Sequence, residues 1–346
     1  MLLFLILPTN DKKSSQNSII YEASVFEQKY NSTYPLSKHK VDELSSSFYR
    51  IAFIADSDSY SKDSNDAGQW HSKLQYAELQ ISSKWDSASI KLTESFTLSG
   101  SLNLGGRGLE LSELCVYNGK LYTIDDRTGI VYEISEKKEL IPWVILPDGN
   151  GRSTKAFKGE WMAIKDEILY IGSSGKPYTH HSSGEHLSND PLFVKAVSHT
   201  GQVQHLDWSR NYEAILTATG IQPPGYLIHE AVGWSQHHKQ WFFLPRKESY
   251  EAFNIRDDEL KGSNLVLRTY ENFITTKTTR VGSNKRGFSA FKFVPHTNDL
   301  VLLAIKTTQQ NSKFTSHAVV FWTNGEIILD EFLLSDQFKY EGVEFV

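Results

Sequence analysis

The sequence has a single cysteine, Cys115, in 346 residues, so no disulfide can form within the chain. A lone thiol of this kind reads as a small buried apolar residue and gives no compartment. Positive charge is not in excess either. Thirty-six Lys and Arg against 41 Asp and Glu leave a formal net charge of -5, without the basic footprint that a phosphate backbone demands. Nucleic acid is thereby set aside as a partner. A run long enough to cross a membrane is missing: the opening MLLFLILP falls far below the roughly 20 apolar residues that span a bilayer. It also lacks a basic n-region and a small-residue cleavage site, and reads as the end of a truncated signal or anchor. Several common catalytic signatures are absent. There is no GxSxG elbow, HEAVGW at His229 lacks the second His of a zincin, and GSSGK at 172–176 is too short for a phosphate loop. The loop HHSSGEH, with His180, His181 and His186, reads as a polar loop before it reads as a transition-metal site.

Helical periodicity is scarce as well, with SRNYEAILTATG the one credible short helix, ended by Gly220. What the chain does have, from Tyr49 onward, is short apolar runs rich in Val, Ile, Phe, Tyr and Trp, broken by Gly, Asn and Asp. That is the grammar of strands and turns, and it predicts an all-β class. Residues 1–48 stand apart as an apolar stub followed by a polar stem or arm, rich in Ser, Asn and Lys between Thr9 and about Ser47. The triplet NST at Asn31 is a glycosylation acceptor if the chain is secreted.

Four segments repeat one pattern: a polar or acidic residue, an apolar strand, a tight polar turn and a second apolar strand. They are SELCVYNGKLYTIDDR, GEWMAIKDEILYIGSSGK, HEAVGWSQHHKQWFFLPRK and SAFKFVPHTNDLVLLAIK. Each predicts a hairpin, and each is followed by further strand-like sequence. Their leading residues, Glu113 (with Ser112), Glu160, Glu230 and Ser289, are 47, 70 and 59 residues apart. A hairpin plus two strands per repeat is the habit of a four-stranded propeller blade. The closing KYEGVEFV matches the first strand of a fifth hairpin, with Glu341 falling 52 residues after Ser289. Its missing second strand is YRIAFIAD, at the other end of the folded region. Pairing the two termini in one blade removes two free sheet edges, so the region 49–346 is predicted to be a five-bladed β-propeller closed by its N- and C-terminal strands. A β-sandwich with long loops is the competing architecture.

Equivalent positions of propeller blades meet at the central channel, so Ser112, Glu113, Glu160, Glu230, Ser289 and Glu341 are expected to form one ring. Carboxylates gathered there repel one another unless a cation sits among them. A donor set of carboxylates, hydroxyls, carbonyls and water suits calcium, which accepts six to eight oxygens, better than magnesium. Antiparallel hairpins put the ends of the second strands at the same channel mouth. Those ends carry Asp56 and Asp58, Asp125, Asp126 and Arg127, Lys176, Arg246 and Lys247, and Lys306. A cation site beside basic groups that neutralise phosphate oxygens and carboxylates that orient water is a plausible phosphoryl-transfer site. A solvated rim of mixed charge is the bland alternative.

At these residues the sequence resembles the calcium-dependent apyrase family, the soluble calcium-activated nucleotidases. The resemblance runs from YRIAFIADSDS to the last residue, and GRGLELSEL, YTIDDRTGIVYEI, PWVILPDGNG, GEWMAIKDEILYIG, GIQPPGYLIHEA, WFFLPRK, GFSAFKF and KYEGVEF carry it. It implies a five-bladed propeller with calcium in its tunnel, held by residues matching Ser112, Glu113, Glu160, Glu230, Ser289 and Glu341. Some relatives carry Asp where this chain has Glu113. It also implies hydrolysis of nucleoside di- and triphosphates to monophosphate and phosphate, and a secreted or secretory-lumen protein. On this reading Asp56, Asp58, Asp126 and Arg127 are the catalytic group, Lys176, Arg246 and Lys306 hold the polyphosphate, and an aromatic such as Trp161 or Tyr226 stacks on the base. Homodimerisation is left open. Two other classes stand beside the nucleotidase: a calcium-stabilised binding module without chemistry, and another calcium propeller enzyme such as a lactonase. Intact acids at 56, 58 and 126 favour an enzyme, and the cationic strand ends favour an anionic phosphorylated substrate.

Overall fold

A computed structural model describes residues 29–66, 68–180, 183–310 and 313–346. The opening apolar stub, the first part of the polar arm and His181 lie outside the described residues. Most strands form five antiparallel four-stranded blades; Lys40–Val41 is added beside Ser47–Asp56, and Tyr178–Thr179 pairs with His186–Ser188 apart from the blades. Blade I comprises Leu111–Tyr117, Lys120–Asp125, Ile130–Ile134 and Leu140–Ile145, and blade II Trp161–Lys165, Ile168–Gly172, Phe193–Val197 and Val203–Asp207. Blade III comprises Tyr226–Ser235, Gln240–Ser249, Leu265–Tyr270 and Thr276–Arg280, and blade IV Gly287–Phe293, Val301–Gln310, Lys313–Trp322 and Ile327–Ser335. Blade V takes its first strand, Lys339–Phe345, from the C-terminus and the other three, Ser47–Asp56, Trp70–Ile81 and Ala88–Gly100, from the N-terminal part. The pairing runs from Ile51 opposite Phe345 to Asp56 opposite Lys339, so the predicted closure of one blade by the two ends of the folded region is present.

The first strands of neighbouring blades pack against one another all the way round, from blade V through I, II, III and IV and back to V. The core is divided accordingly. Five buried apolar clusters each occupy one interface between adjacent blades rather than a single centre. Strand alternation explains the division: Ile51, Phe53 and Ala55 face blade IV, while Ala52 and Ile54 face blade I. The inner strands are thus buried on both faces, whereas outer strands such as Ala88–Gly100 and Thr276–Arg280 are polar and largely exposed.

The helix expected from its periodicity occupies Ser209–Ala218 and buries Tyr212 and Ile215 between blades II and III. Gly220 follows it with φ of 77°, the left-handed conformation in which a helix end favours glycine. Where the polar arm is described it lies on the propeller end opposite Lys339. Tyr30 packs on Tyr117, the Tyr34 hydroxyl donates to Glu344 at 3.2 Å, and Ser37 donates to the Val346 carbonyl at 2.5 Å.

Candidate active site

The ring positions owe their direction to a recurrent break in strand pairing. In blade I, Ser112 pairs with Ile124 and Leu114 with Thr123, which leaves Glu113 as an extra residue with φ of 42°. In blade III, His229 pairs with Pro245 and Ala231 with Leu244, leaving Glu230. Blade IV leaves Ser289 between the Phe288 and Ala290 pairs, and blade V leaves Glu341 between those of Tyr340 and Gly342. A bulged residue is unpaired and re-aimed, so four blades turn one residue out of the ladder at the same phase. In blade II, Glu160 directly precedes the first strand and its N–H donates to the Gly172 carbonyl at 2.8 Å. The sequence reading puts these residues at strand starts. Most lie a few residues in, because the first strands of blades III and IV begin upstream, at Tyr226 and Gly287.

Five of the six ring residues are no more than 5% exposed, and Glu230 is half-buried. The Ser112 hydroxyl donates to Glu341 Oε2 at 3.3 Å, and Ser289 donates to the Tyr340 carbonyl at 3.0 Å. Glu113 turns away from the other carboxylates: its Oε1 meets Lys292 Nζ at 2.9 Å, its Oε2 is buried without a partner, and its carbonyl accepts from Thr123 at 2.9 Å.

Glu160, Glu230 and Glu341 open on a cavity of about 380 Å³ at the mouth, whose walls also include Asp56, Asp58, Asp126, Arg127 and Arg246. Three cations stitch this wall together. Lys158 lies between Asp126, at 2.7 Å, and Glu160. Arg246 bonds Glu230 at 2.8 Å and stands 3.7 Å from Glu341. Lys339 reaches Asp56 at 2.6 Å, Asp58 at 3.2 Å and Glu341 at 3.2 Å. Arg107 and Arg127 flank the buried Glu110. Lys158, Lys339, Arg107 and Glu110 are absent from the sequence-based assignment. Arg107 and Glu110 belong to the connection entering blade I, inside the quoted GRGLELSEL, and Lys158 sits two residues before Glu160. Lys158 and Lys339 each lie two residues before a ring glutamate, Glu160 and Glu341, so that shared offset is the signal that could have found them; Arg107 and Glu110 have no such counterpart.

Two predicted substrate ligands are elsewhere. Lys176 lines a separate cavity, with its ammonium on the Thr179 hydroxyl at 2.8 Å. Lys306 is buried, bonds the Ser283 carbonyl and lies 3.5 Å from Glu331. Lys176 lies in the loop four residues beyond Ile168–Gly172, and Lys306 lies within Val301–Gln310, opposite Phe288 beside the blade IV bulge. Trp161 is fully buried against Trp208 and Trp241 and has no face free for a base.

Burial sets the protonation of the mouth. It pushes Glu160 up to about 7 in spite of Lys158, with Glu230 and Asp126 adding repulsion. Glu113 rises to about 7 by burial against the pull of Lys292, and Glu110 to about 7 against that of Arg107. Glu341 goes well above its ordinary value, by burial first and then by Asp56 and Glu230. Asp56 is the exception: burial works against it, but Lys339 holds it below the usual carboxylate range, while burial and Asp56 together raise its neighbour Asp58. Lys158 and Lys339 stay charged because the carboxylates around them outweigh their burial.

Such raised carboxylates are what an oxygen-ligated cation stabilises. The cavity walls carry nine Asp or Glu against six Lys or Arg, so the mouth is net acidic before any ligand enters. The ring offers oxygen donors alone, with neither His nor Cys; the Glu113 carboxylate is turned to Lys292, which leaves its carbonyl as the oxygen on the strand itself. Asp56, Asp58 and Glu110 also bring oxygens within 4.8 Å of one another. Hard-cation chemistry fits this donor set.

Fold and site together define a five-bladed propeller whose channel mouth gathers acids and bases fit for a hard metal and an anionic ligand. The family model described as Apyrase matches residues 57–346, and the chain belongs to that family. Among its relatives, "Soluble calcium-activated nucleotidase 1" of Rattus norvegicus is 43% identical over 320 residues, 92% of this chain and 78% of that protein. "Apyrase apy-1" of Caenorhabditis elegans is 44% identical over 303 residues, covering 86% and 84%. "Apyrase" of Cimex lectularius is 37% identical over 326 residues, covering 91% and 87%.

Proposed function

We propose that the protein is a calcium-dependent hydrolase of nucleoside di- and triphosphates, releasing the terminal phosphate by attack of water. One observation carries this reading: a single cavity joins Glu160, Glu230 and Glu341 of the ring to Arg127, Arg246, Lys158 and Lys339. Residues Ser112, Glu113, Glu160, Glu230, Ser289 and Glu341 would hold calcium, Glu113 through a carboxylate or carbonyl oxygen. Bound there, the ion would draw in phosphate oxygens and offset their developing charge. The pairing of Lys158, Arg246 and Lys339 with carboxylates supports a charge exchange: as the carboxylates turn to a metal, the cations are released to hold the polyphosphate. Asp58, pushed up by burial, and Asp126, whose buried Oδ1 has no partner, are suited to orienting water and taking its proton, with Asp56 holding Lys339 in place. A binding module would need no proton acceptor at this mouth, and a lactonase would need no row of cations.

The relatives' names support the nucleotide substrate and the metal. Among the described residues no helix is long and apolar enough to cross a membrane. Asn31 of the NST triplet is exposed, which supports a secreted or secretory-lumen protein.

The test is phosphate release from ADP, UDP, GDP and ATP with calcium, with magnesium and with chelator. Calcium-dependent release from at least one nucleotide is expected; none above blank rejects the nucleotidase, and equal release with chelator removes the metal from the mechanism. Arg127→Ala is expected to raise KM by roughly tenfold or more through loss of a charged phosphate contact. Unchanged steady-state kinetics would take Arg127 out of the site.

A further inference from the structure

A second cavity, of about 470 Å³, lies beside the mouth between blades II and III. Its walls include Lys176, Pro177, Tyr212, Tyr226, His229 and Phe253. The two spaces share one strand as a wall. Leu227 and His229 of Tyr226–Ser235 face this cavity, and Ile228 and Glu230 face the mouth. Tyr226 bridges them: its ring lines the cavity, and its hydroxyl donates at 2.6 Å to Asp258 of the mouth. The length of one tyrosine side chain therefore separates the two.

The chemistry of the spaces is complementary. The mouth is lined mainly by charged side chains, whereas the exposed surface of the second cavity is mostly carbon and aromatic, the usual character of a small-molecule site. The Phe253 ring is half-exposed and carries the Lys176 ammonium 4.3 Å above one electron-rich face. His229 is stacked on Tyr212 at 5.5 Å, and its buried Nδ1 has no hydrogen-bond partner. A buried polar nitrogen left unmatched in a cavity wall is a cost that a ligand edge can remove.

We infer that this cavity takes the base and sugar of the nucleotide whose phosphates lie in the mouth, with Phe253 and Tyr226 supplying the stacking faces and His229 a polar contact to the edge of the base. The inference rests on the nucleotidase reading and adds the determinant of nucleoside recognition. A base is flat, aromatic and polar only at its rim, which matches these walls; a polyphosphate matches only the mouth. Lys176 thereby acquires a role at the nucleoside rather than at the terminal phosphate.

The test is Phe253→Ala, assayed with ADP, UDP and GDP and with tripolyphosphate as a nucleoside-free competitor. Phe253 is half-exposed in a loop, so an unchanged thermal midpoint is expected to accompany the substitution. The KM for the nucleotides should rise roughly tenfold, the loss of one base-stacking face, while the inhibition constant of tripolyphosphate stays within about twofold of wild type. Unchanged nucleotide KM overturns the inference, as does equal weakening of nucleotides and tripolyphosphate. If the wild-type protein hydrolyses no nucleotide, the nucleotidase reading fails separately. Calorimetric binding of nucleoside monophosphate to wild type and Phe253→Ala then decides the cavity: roughly tenfold weaker binding supports it, and equal or absent binding by both rejects it.

Discussion

Glu160 shows what a ring position demands of a single side chain. It is buried, beside Lys158 and within the field of Glu230 and Asp126, and burial dominates, so its carboxyl titrates near 7. A carboxyl raised in the folded state favours folding in its protonated form. That contribution is full below the unfolded value of about 4.5 and is lost as pH rises toward about 7. Glu113 shares the window and Glu341 shifts in the same direction. In chelator, the thermal midpoint is therefore expected to fall between pH 5 and pH 7.5, and the stabilisation by added calcium to grow over the same range. A calcium-induced shift that is constant with pH would contradict this electrostatic account. The glutamates themselves were legible in the sequence because they recur at one phase of the repeat. Lys158, Lys339 and Glu110 were not. Lys158 and Lys339 share an offset of two residues before a ring glutamate, but only two blades carry a lysine there, and Glu110 reaches the mouth from a blade connection, so only the folded geometry brings their charges together.

At the scale of the element, bulge and hairpin divide the work: the hairpin gives the blade its pairing, and the bulge aims one residue inward. The hairpins and their order were readable from alternating apolar runs and tight turns. The bulges were not, because an extra residue in a strand changes neither composition nor alternation enough to be seen. Close approach of neighbouring blades is visible at two glycines. A Cβ on Gly342 would lie 2.5 Å from the backbone of Glu113 and Leu114, and one on Gly287 would lie 1.7 Å from the Arg246 carbonyl. Backbone cannot yield as a flexible side chain can. Gly342→Ala is therefore expected to destabilise the protein by about 1–3 kcal/mol, read as a lower midpoint in thermal or denaturant unfolding. A midpoint equal to wild type would show that the strands are less tightly joined than described.

For the whole molecule, the ring is both architecture and chemistry. Five apolar interfaces hold the blades, the pairing of Lys339–Phe345 with Ser47–Asp56 closes the circle, and the closing strand brings Glu341 and Lys339 to the mouth together. The octapeptide KYEGVEFV is thus the first strand of a blade and one sector of the site. Its place could be read from the sequence because closure requires a partner strand and YRIAFIAD is the unmatched candidate. The placement of Lys176 and Lys306 could not, since Lys176 lies in a loop past its strand and Lys306 beside the bulge of blade IV, and neither feature shows in the sequence pattern.

The central claim is that the ring glutamates converge to bind calcium. Calorimetric titration of calcium into the metal-free protein, compared with Glu160→Gln and Glu341→Gln, tests it most directly. We expect saturable binding by the wild type and at least roughly tenfold weaker binding by each variant, in line with the loss of a charged ligand. Wild-type binding retained by both variants would contradict the account.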